Sequence, residues 1–204
     1  MRSFRELEKF RARAVDGRAC GRIRDIYFDD QTWAIRQLVV SIEPRQFGRK
    51  EVLVEPRDVF AVCDAEVQLK TSWENLDAAP LATSILPVCK QYASMAFSSP
   101  GSSFLARGAA GSDPYLRSAK AVTNYAINLG GKFAGVLANF IFDDLSWEIR
   151  YLGIEQRIEH KKLQFHIVPQ AVERFTWATQ RVLLRELQPV ALEPEQVVVP
   201  LAAA

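Results

Sequence analysis

The sequence predicts a mainly β protein, two small β-barrels joined by a linker with short helices. Three observations predict it. An eleven-residue phrase occurs twice, as FDDQTWAIRQL at Phe28–Leu38 and as FDDLSWEIRYL at Phe142–Leu152, 114 residues apart. Short runs rich in branched and aromatic residues follow one another closely in both copies, as the strands of small barrels do. Between the copies, residues 71–117 turn richer in Ser, Ala, Gly and Pro, the composition of a connection.

The repeat extends beyond the phrase. Gly17-Arg18 answers Gly131-Lys132, Gly21 answers Gly135, Ile23 answers Leu137 and Ile26 answers Phe140, all at the same offset. Farther upstream Met1-Arg2-Ser3 answers Leu116-Arg117-Ser118 with a shift of one residue. Downstream, Glu51–Val59 answers Gln164–Val172, with Pro56 against Pro169, and Val67–Lys70 answers Val182–Arg185. A repeat of this length is one structural unit used twice. The units are residues 1–70 and 118–188, with a linker at 71–117 and a tail at 189–204.

In the first unit, Gly21–Phe28 and Trp33–Ile42 read as paired strands around a tight turn. Asp29, Asp30 and Thr32 suit that turn because short polar side chains bond to nearby amides. Period-two alternation puts Trp33, Ile35, Gln37 and Val39 on one face and Ala34, Arg36, Leu38 and Val40 on the other. Residues 48–56 and 65–70 supply later strands, the last alternating at Val67 and Leu69. Gly17 and Gly21 sit where a turn and a strand start favour the absence of a Cβ. In the linker, Thr71–Ser84 holds a short helix with Ser72 at its N-cap and Pro80 at its stop. Ser84–Phe97 holds a second, and Ser98–Pro114 reads as a flexible connection. The tail ends in VVVPLAAA, an extended strand or a loose end.

The series G-x-x-x-G-x-[IL]-x-[DN]-x-x-F-D-D-x-x-W-x-I-R-x-L, followed by a VLVEP-type strand, resembles the PRC-barrel domain. That small β-barrel is shared by the photosynthetic reaction-centre H subunit and the ribosome-maturation factor RimM. The whole chain except the tail is similar to bacterial two-copy PRC-barrel proteins. The resemblance implies an adaptor that docks on a protein or an assembly and has no shared catalytic set. The second copy departs from the pattern: Asn139 stands where the first has Asp25, Gly130-Gly131 where it has Asp16-Gly17, and Tyr151–Phe165 lacks the usual Trp-containing loop.

Composition bounds the function. Lys and Arg number 26 against 24 Asp and Glu, so a net charge of +2 gives no strong field for nucleic acid or an anionic membrane. The arginines are nonetheless concentrated in residues 2–24, a solvated face or the contact for an acidic or phosphate-bearing partner. Cys20, Cys63 and Cys89 match no zinc spacing; Cys20 and Cys63, in apolar strand-like runs, read as small core residues, and a reducing compartment is expected. No run approaches the ~20 apolar residues of a membrane span, and the N-terminus lacks the apolar core of a signal peptide. A cytoplasmic protein is expected.

The repeated residues divide between chemistry and structure. Asp29-Asp30 and Asp143-Asp144 offer a cation site or an acid/base pair, but neighbouring turn residues supply too few oxygens for a hard cation, so they read as turn formers. Trp33 and Trp147 read as core anchors rather than stacking platforms. Arg36 and Arg150 read as partners of an acid in their own repeat, such as Asp29 or Asp143, or of a cross-strand group, rather than as grips for a docking carboxylate. His160 and His166, with Glu159, make too small a set for zinc. No catalytic residue, cofactor or metal is expected. The expected function is a non-enzymatic protein-binding scaffold whose partner is a protein, a second copy among the possibilities. The alternatives are an RNA- or ribosome-associated factor like RimM and a soluble accessory of a membrane complex like the reaction-centre H subunit.

Overall fold

The computed structural model describes residues 1–43, 48–63, 65–88, 90, 113–158 and 161–185. Most of the segment expected to hold the second linker helix, the connection before Asp113, the tail, Cys89, Glu159 and His160 lie outside them. The described chain is mainly β, with two sheets and a few short helices.

The first sheet runs β5 (Lys50–Val54), β4 (Ile35–Ile42), β3 (Ala19–Asp29), β2 (Arg11–Arg13), β7 (Glu66–Leu69), β6 (Val59–Cys63). The second repeats that order: β12 (Lys161–Ile167), β11 (Glu148–Ile158), β10 (Lys132–Asp143), β9 (Ala126–Leu129), β14 (Arg181–Leu184), β13 (Val172–Thr176). In each, one pair is parallel, β2 with β7 and β9 with β14; the other pairs on these paths are antiparallel. Among the described residues the end strands of each sheet do not pair with each other. Helix α2 (Trp73–Asp77) follows the first sheet, and the amide of Asn75 donates to Ser72 Oγ at its N-cap, as the sequence predicts.

Each sheet has a seventh strand, and it comes from the other repeat. Strand β1 (Arg2–Ser3) pairs antiparallel with β10, Arg2 against Phe142 and Ser3 against Ile141. Strand β8 (Leu116–Ser118) pairs antiparallel with β3, Tyr27 against Ser118 and Asp29 against Leu116. A one-turn helix follows each, α1 (Phe4–Leu7) and α3 (Ala119–Val122). The two repeats thus exchange their opening segments, and one continuous core spans them. Phe28 lies 5.1 Å from Phe140 and 6.0 Å from Phe175 between ring centroids, and Phe4 lies 6.5 Å from Phe140. Phe4, Leu7, Ile26, Phe28, Leu38, Phe140, Phe142 and Leu152 are all buried in that core.

Simple alternation fails along β3 and β4. Ile35 shares the core with Leu38 and Val40, where period two would place it opposite them. The register explains this. Tyr27 opposes Gln37 and Phe28 opposes Ile35, leaving Arg36 as an extra residue, a β-bulge. The second repeat does the same with Arg150, between Tyr151 and Ile149. A second pair of bulges leaves Arg24 extra on β3 and Ala138 extra on β10. Each bulge resets the phase, so Ile23, Ile26 and Phe28 all face inward.

The glycine at the start of each long strand answers to a close approach. A Cβ on Gly21 would sit 1.8 Å from the carbonyl oxygen of Ser41, and one on Gly135 would sit 2.7 Å from that of Glu155. Both contacts are with backbone, which cannot swing away. Gly21→Ala is expected to cost about 3 kcal/mol of unfolding free energy, and Gly17→Ala, with open space around its turn, about 1 kcal/mol. Urea denaturation of the two variants checks the order.

Candidate functional site

The repeated phrase forms a two-fold-like junction at the middle of the molecule. Its turn begins when Asp29 Oδ1 accepts the amides of Gln31 and Thr32, at 2.9 and 3.0 Å. The amide of Trp33 then donates to the Asp29 carbonyl at 2.8 Å. In the second repeat Asp143 Oδ1 accepts the amide of Leu145, and its carbonyl accepts that of Trp147.

The turn puts Trp33 and Trp147 at φ of 61° and 57°, a left-handed conformation unusual for a bulky residue. The surroundings enforce it twice. Each indole stacks on the phenylalanine that opens its own phrase, Trp33 on Phe28 at 5.8 Å and Trp147 on Phe142 at 5.6 Å. Each carbonyl reaches the other repeat: Ile35 N donates to Trp147 O at 2.7 Å, and Ile149 N donates to Trp33 O at 2.9 Å.

The second aspartate of each phrase holds the exchanged segment. Asp30 pairs with Arg117 at 2.8 Å, and Asp144 pairs with Arg2 at 3.0 Å. These arginines belong to the MRS and LRS triplets whose similarity runs one residue out of step. The serines of the same triplets dock on the next pair of equivalent positions. Ser118 Oγ donates to Asp25 Oδ2, and the amide of Lys120 donates to Asp25 Oδ1 at 3.0 Å. Asn139 stands in for Asp25: its amide nitrogen donates to Ser3 Oγ at 2.8 Å and its oxygen accepts the amide of Arg5 at 3.2 Å. The Asp-to-Asn departure thus keeps the acceptor. Asp25 also receives Lys90 Nζ at 2.8 Å, a charge that Asn139 does not need to balance.

Arg36 and Arg150, carried outward on their bulges, turn back to their own repeats. Arg36 Nη1 lies 2.9 Å from Asp29 Oδ2 and its Nη2 lies 3.8 Å from Asp113. Arg150 Nη2 lies 2.8 Å from Glu148 and 3.9 Å from Asp143. The junction therefore brings together Asp29, Asp30, Trp33, Arg36, Asp143, Asp144, Trp147 and Arg150, and each has a structural partner there. Sequence reasoning missed Arg2, Ser3, Arg117 and Ser118; the out-of-step triplet was their signal.

The carboxylates feel different surroundings. Burial works against the charge on Asp29, but the amides of Thr32 and Gln31 and the Arg36 guanidinium outweigh it and hold the group below the usual range. Turn amides, Leu145 first, do the same for Asp143. Burial also opposes the charge on Asp144, and its bond from Arg2 prevails, with the N-terminal amine helping. Asp30 goes the other way: burial pushes it up, and Arg117 only partly reverses that. Among the described residues no group of three or more His, Cys, Asp or Glu is arranged to hold a metal, and no helix is long and apolar enough to cross a membrane. His166 lies on β12, its ring 6.3 Å from that of Tyr151.

Outside the junction the repeats differ. In the first, the segment after α2 lies along the outer edge of β5: Leu53 N donates to Pro80 O at 2.8 Å and Ala82 N to Glu51 O at 2.9 Å. Ala82 completes a small outer cluster with Tyr27, Val39, Leu53 and Leu116. In the second, no described residue pairs with the outer edge of β12. The first repeat also carries a cleft of about 620 Å³ beside β2 and β3 that is rich in arginine. No family model matches the chain, and no curated protein sequence matches it.

Removing Arg117 strands a buried carboxylate. Arg117→Ala is therefore expected to cost roughly 3 kcal/mol, against about 1 kcal/mol or less for Arg2→Ala, because Asp144 is more exposed and keeps the N-terminal amine. Thermal melts of both variants test the ranking. Acidification provides a second test. The depressed groups Asp29, Asp143 and Asp144 contribute stability that is complete above the ordinary aspartate value of about 4 and is lost as pH falls through their lower folded-state values. Asp30, being raised, contributes in the opposite sense, below that ordinary value, and loses its contribution as pH rises through its higher one. Stability measured by denaturant at pH 7, 5 and 3 should fall toward pH 3, and less steeply in Asp29→Asn/Asp143→Asn.

Proposed function

We propose that the protein is a non-enzymatic docking module, a pair of PRC-type barrels fused into one body, that receives an extended segment of a partner protein on strand β12. The observation that carries this reading is the unequal treatment of equivalent edges. Strand β5 and strand β12 occupy the same place in their sheets, and register matches Leu53 to His166 and Glu51 to Gln164. The β5 edge is paired with Pro80–Ala82; the β12 edge has no partner among the described residues. An open edge presents a row of amides and carbonyls that an added strand completes.

The surface next to that edge describes its guest. Tyr151, 41% exposed, stands beside His166 at the open end of the hairpin, and Leu163, 45% exposed, stands on β12 nearer the turn, so apolar side chains flank the edge along its length. Lys161 and Arg157 stand exposed at the opposite end of the β11–β12 hairpin. The guest is an extended segment, apolar beside Tyr151 and His166 and acidic toward Lys161 and Arg157. The repeated carboxylates and arginines have structural partners at the junction, so the reading assigns them no catalytic role.

A photo-crosslinking residue at Leu163 in the full chain identifies the guest. Crosslinks to one partner protein, lost on His166→Pro while the melting temperature stays within a few degrees, are the expected result. Proline at that position removes the amide equivalent to that of Leu53, which points away from the neighbouring strand. Crosslinks found only to residues 186–204 of the same chain, or capture unaffected by the proline, would overturn the reading.

A further inference from the structure

The arginine cleft of the first repeat is separate from the junction and from the β12 edge. Its walls carry Arg11, Arg18, Arg22, Arg24 and Arg49 and a single acid, Glu43. Glu43 is engaged by Arg49 at 2.7 Å. Arg11, Arg22 and Arg24 form no ion pair among the described residues. The Arg18 guanidinium lies over Trp73, 4.1 Å from the ring centroid, which fixes it at the wall.

The placement of these charges opposes stability. Arg11 and Arg22 stand directly opposite each other on β2 and β3. Like charges at that position repel across a few ångströms. Arg24 is the extra residue of a bulge, a device that re-aims a side chain. The neighbouring Arg13, by contrast, has Glu66 as its partner. The sheet therefore gives Arg13 a direct partner and leaves three arginines facing a common space without an ion pair among the described residues, Arg11 beside the already engaged Glu66 and Arg24 near Glu8.

The duplication supplies an internal control. Register places Ala126 and Val136 where Arg11 and Arg22 stand, Ala138 where Arg24 stands, and Glu155 where Ser41 stands. The second sheet folds with the same pairing and without this cluster, so the fold does not require it. Its charges have another use in the first repeat.

We propose that this cleft binds a compact polyphosphate, a ligand of nucleoside-triphosphate size and charge. All the cationic wall residues are arginines, whose planar forks match phosphate oxygens two at a time. A volume of about 620 Å³ lies within the range of small-molecule clefts. The positive charge is also confined: Asp16 and Glu74, both exposed, flank Arg18 and Trp73 in the chain, and the net charge is +2. A long nucleic acid needs a basic track that continues past the cleft, and these acids interrupt one. A compact anion needs only the cleft.

Calorimetric titration of the full chain with inorganic tripolyphosphate and with ATP, at 50 and 200 mM salt, tests the proposal. The expected result is saturable binding of both at one site, weakened by salt. Rewriting the cleft as the second repeat has it, with Arg11→Ala, Arg22→Val and Arg24→Ala together, should lower affinity by about 100-fold or more. The same variant should melt no lower than the parent, since it relieves the Arg11–Arg22 repulsion. Arg22→Gln alone, expected to weaken binding about tenfold, serves if the triple variant fails to fold. Arg181→Ala, on the second sheet, should bind normally. Absence of binding at millimolar ligand, or binding unchanged in the cleft variants, would overturn the proposal. So would a single-stranded RNA that binds tighter than either compact ligand and loses that affinity with the same three substitutions.

Discussion

The reciprocal hydrogen bonds between Trp33 and Ile149 and between Trp147 and Ile35 are the constraint on which the rest depends. They require each tryptophan carbonyl to point out of its own turn, and that in turn requires the left-handed backbone. A bulky residue adopts such a conformation only where surrounding contacts fix it. Here the indole's stacking on its own phenylalanine and the amide arriving from the other repeat do so together. Once the two turns are joined, Asp30 and Asp144 lie beside the other repeat's opening segment, and the exchanged strands have carboxylates to meet.

This arrangement gives each residue of the duplicated phrase a separate task. Phe28 and Phe142 fill the shared core. Asp29 and Asp143 close the turns, and Asp30 and Asp144 hold the exchanged arginines. Arg36 and Arg150 sit at bulges that bring Ile35 and Ile149 into the core. The phrase is long because these tasks are coupled: a bulge without its arginine, or a turn without its aspartate, would shift the phase of the strand that follows. Burial shows the same economy. The more deeply enclosed Asp30–Arg117 pair sits beside the elements that join the repeats, and the wetter Asp144–Arg2 pair lies at the chain terminus.

Much of the fold was legible in the sequence. The repeat, the strands on either side of the Asp-Asp turn, the Ser72 cap and the core placement of the tryptophans follow from local rules of turn chemistry and apolar patterning. The exchange of opening segments did not follow, because pairing between repeats is a tertiary choice that equal local sequences cannot distinguish from pairing within one. Simple alternation misplaced Ile35, because a bulge adds a residue without altering composition. Arg36 and its acid were legible from charge and proximity. Arg117 was not, since its partner Asp30 is distant in sequence. The arginine cleft was visible only as a concentration of charge; facing Arg11 and Arg22 across two strands needed the register.

The exchange also sets an order of events during synthesis. The first sheet lacks β8 until residue 118 has been made, although its other strands end at Leu69. Asp25 and Asp30 must wait in that interval without Ser118 and Arg117. Non-local pairing of this kind slows folding and leaves an incomplete sheet exposed. The opening segment, Arg2–Leu7, waits longer still, because its strand β10 is the fourth element to emerge past the connection and ends at Asp143. The protein therefore cannot mature one repeat at a time. The first sheet is completed by a strand made at the start of the second repeat, and the second by one that has waited since the start of the chain.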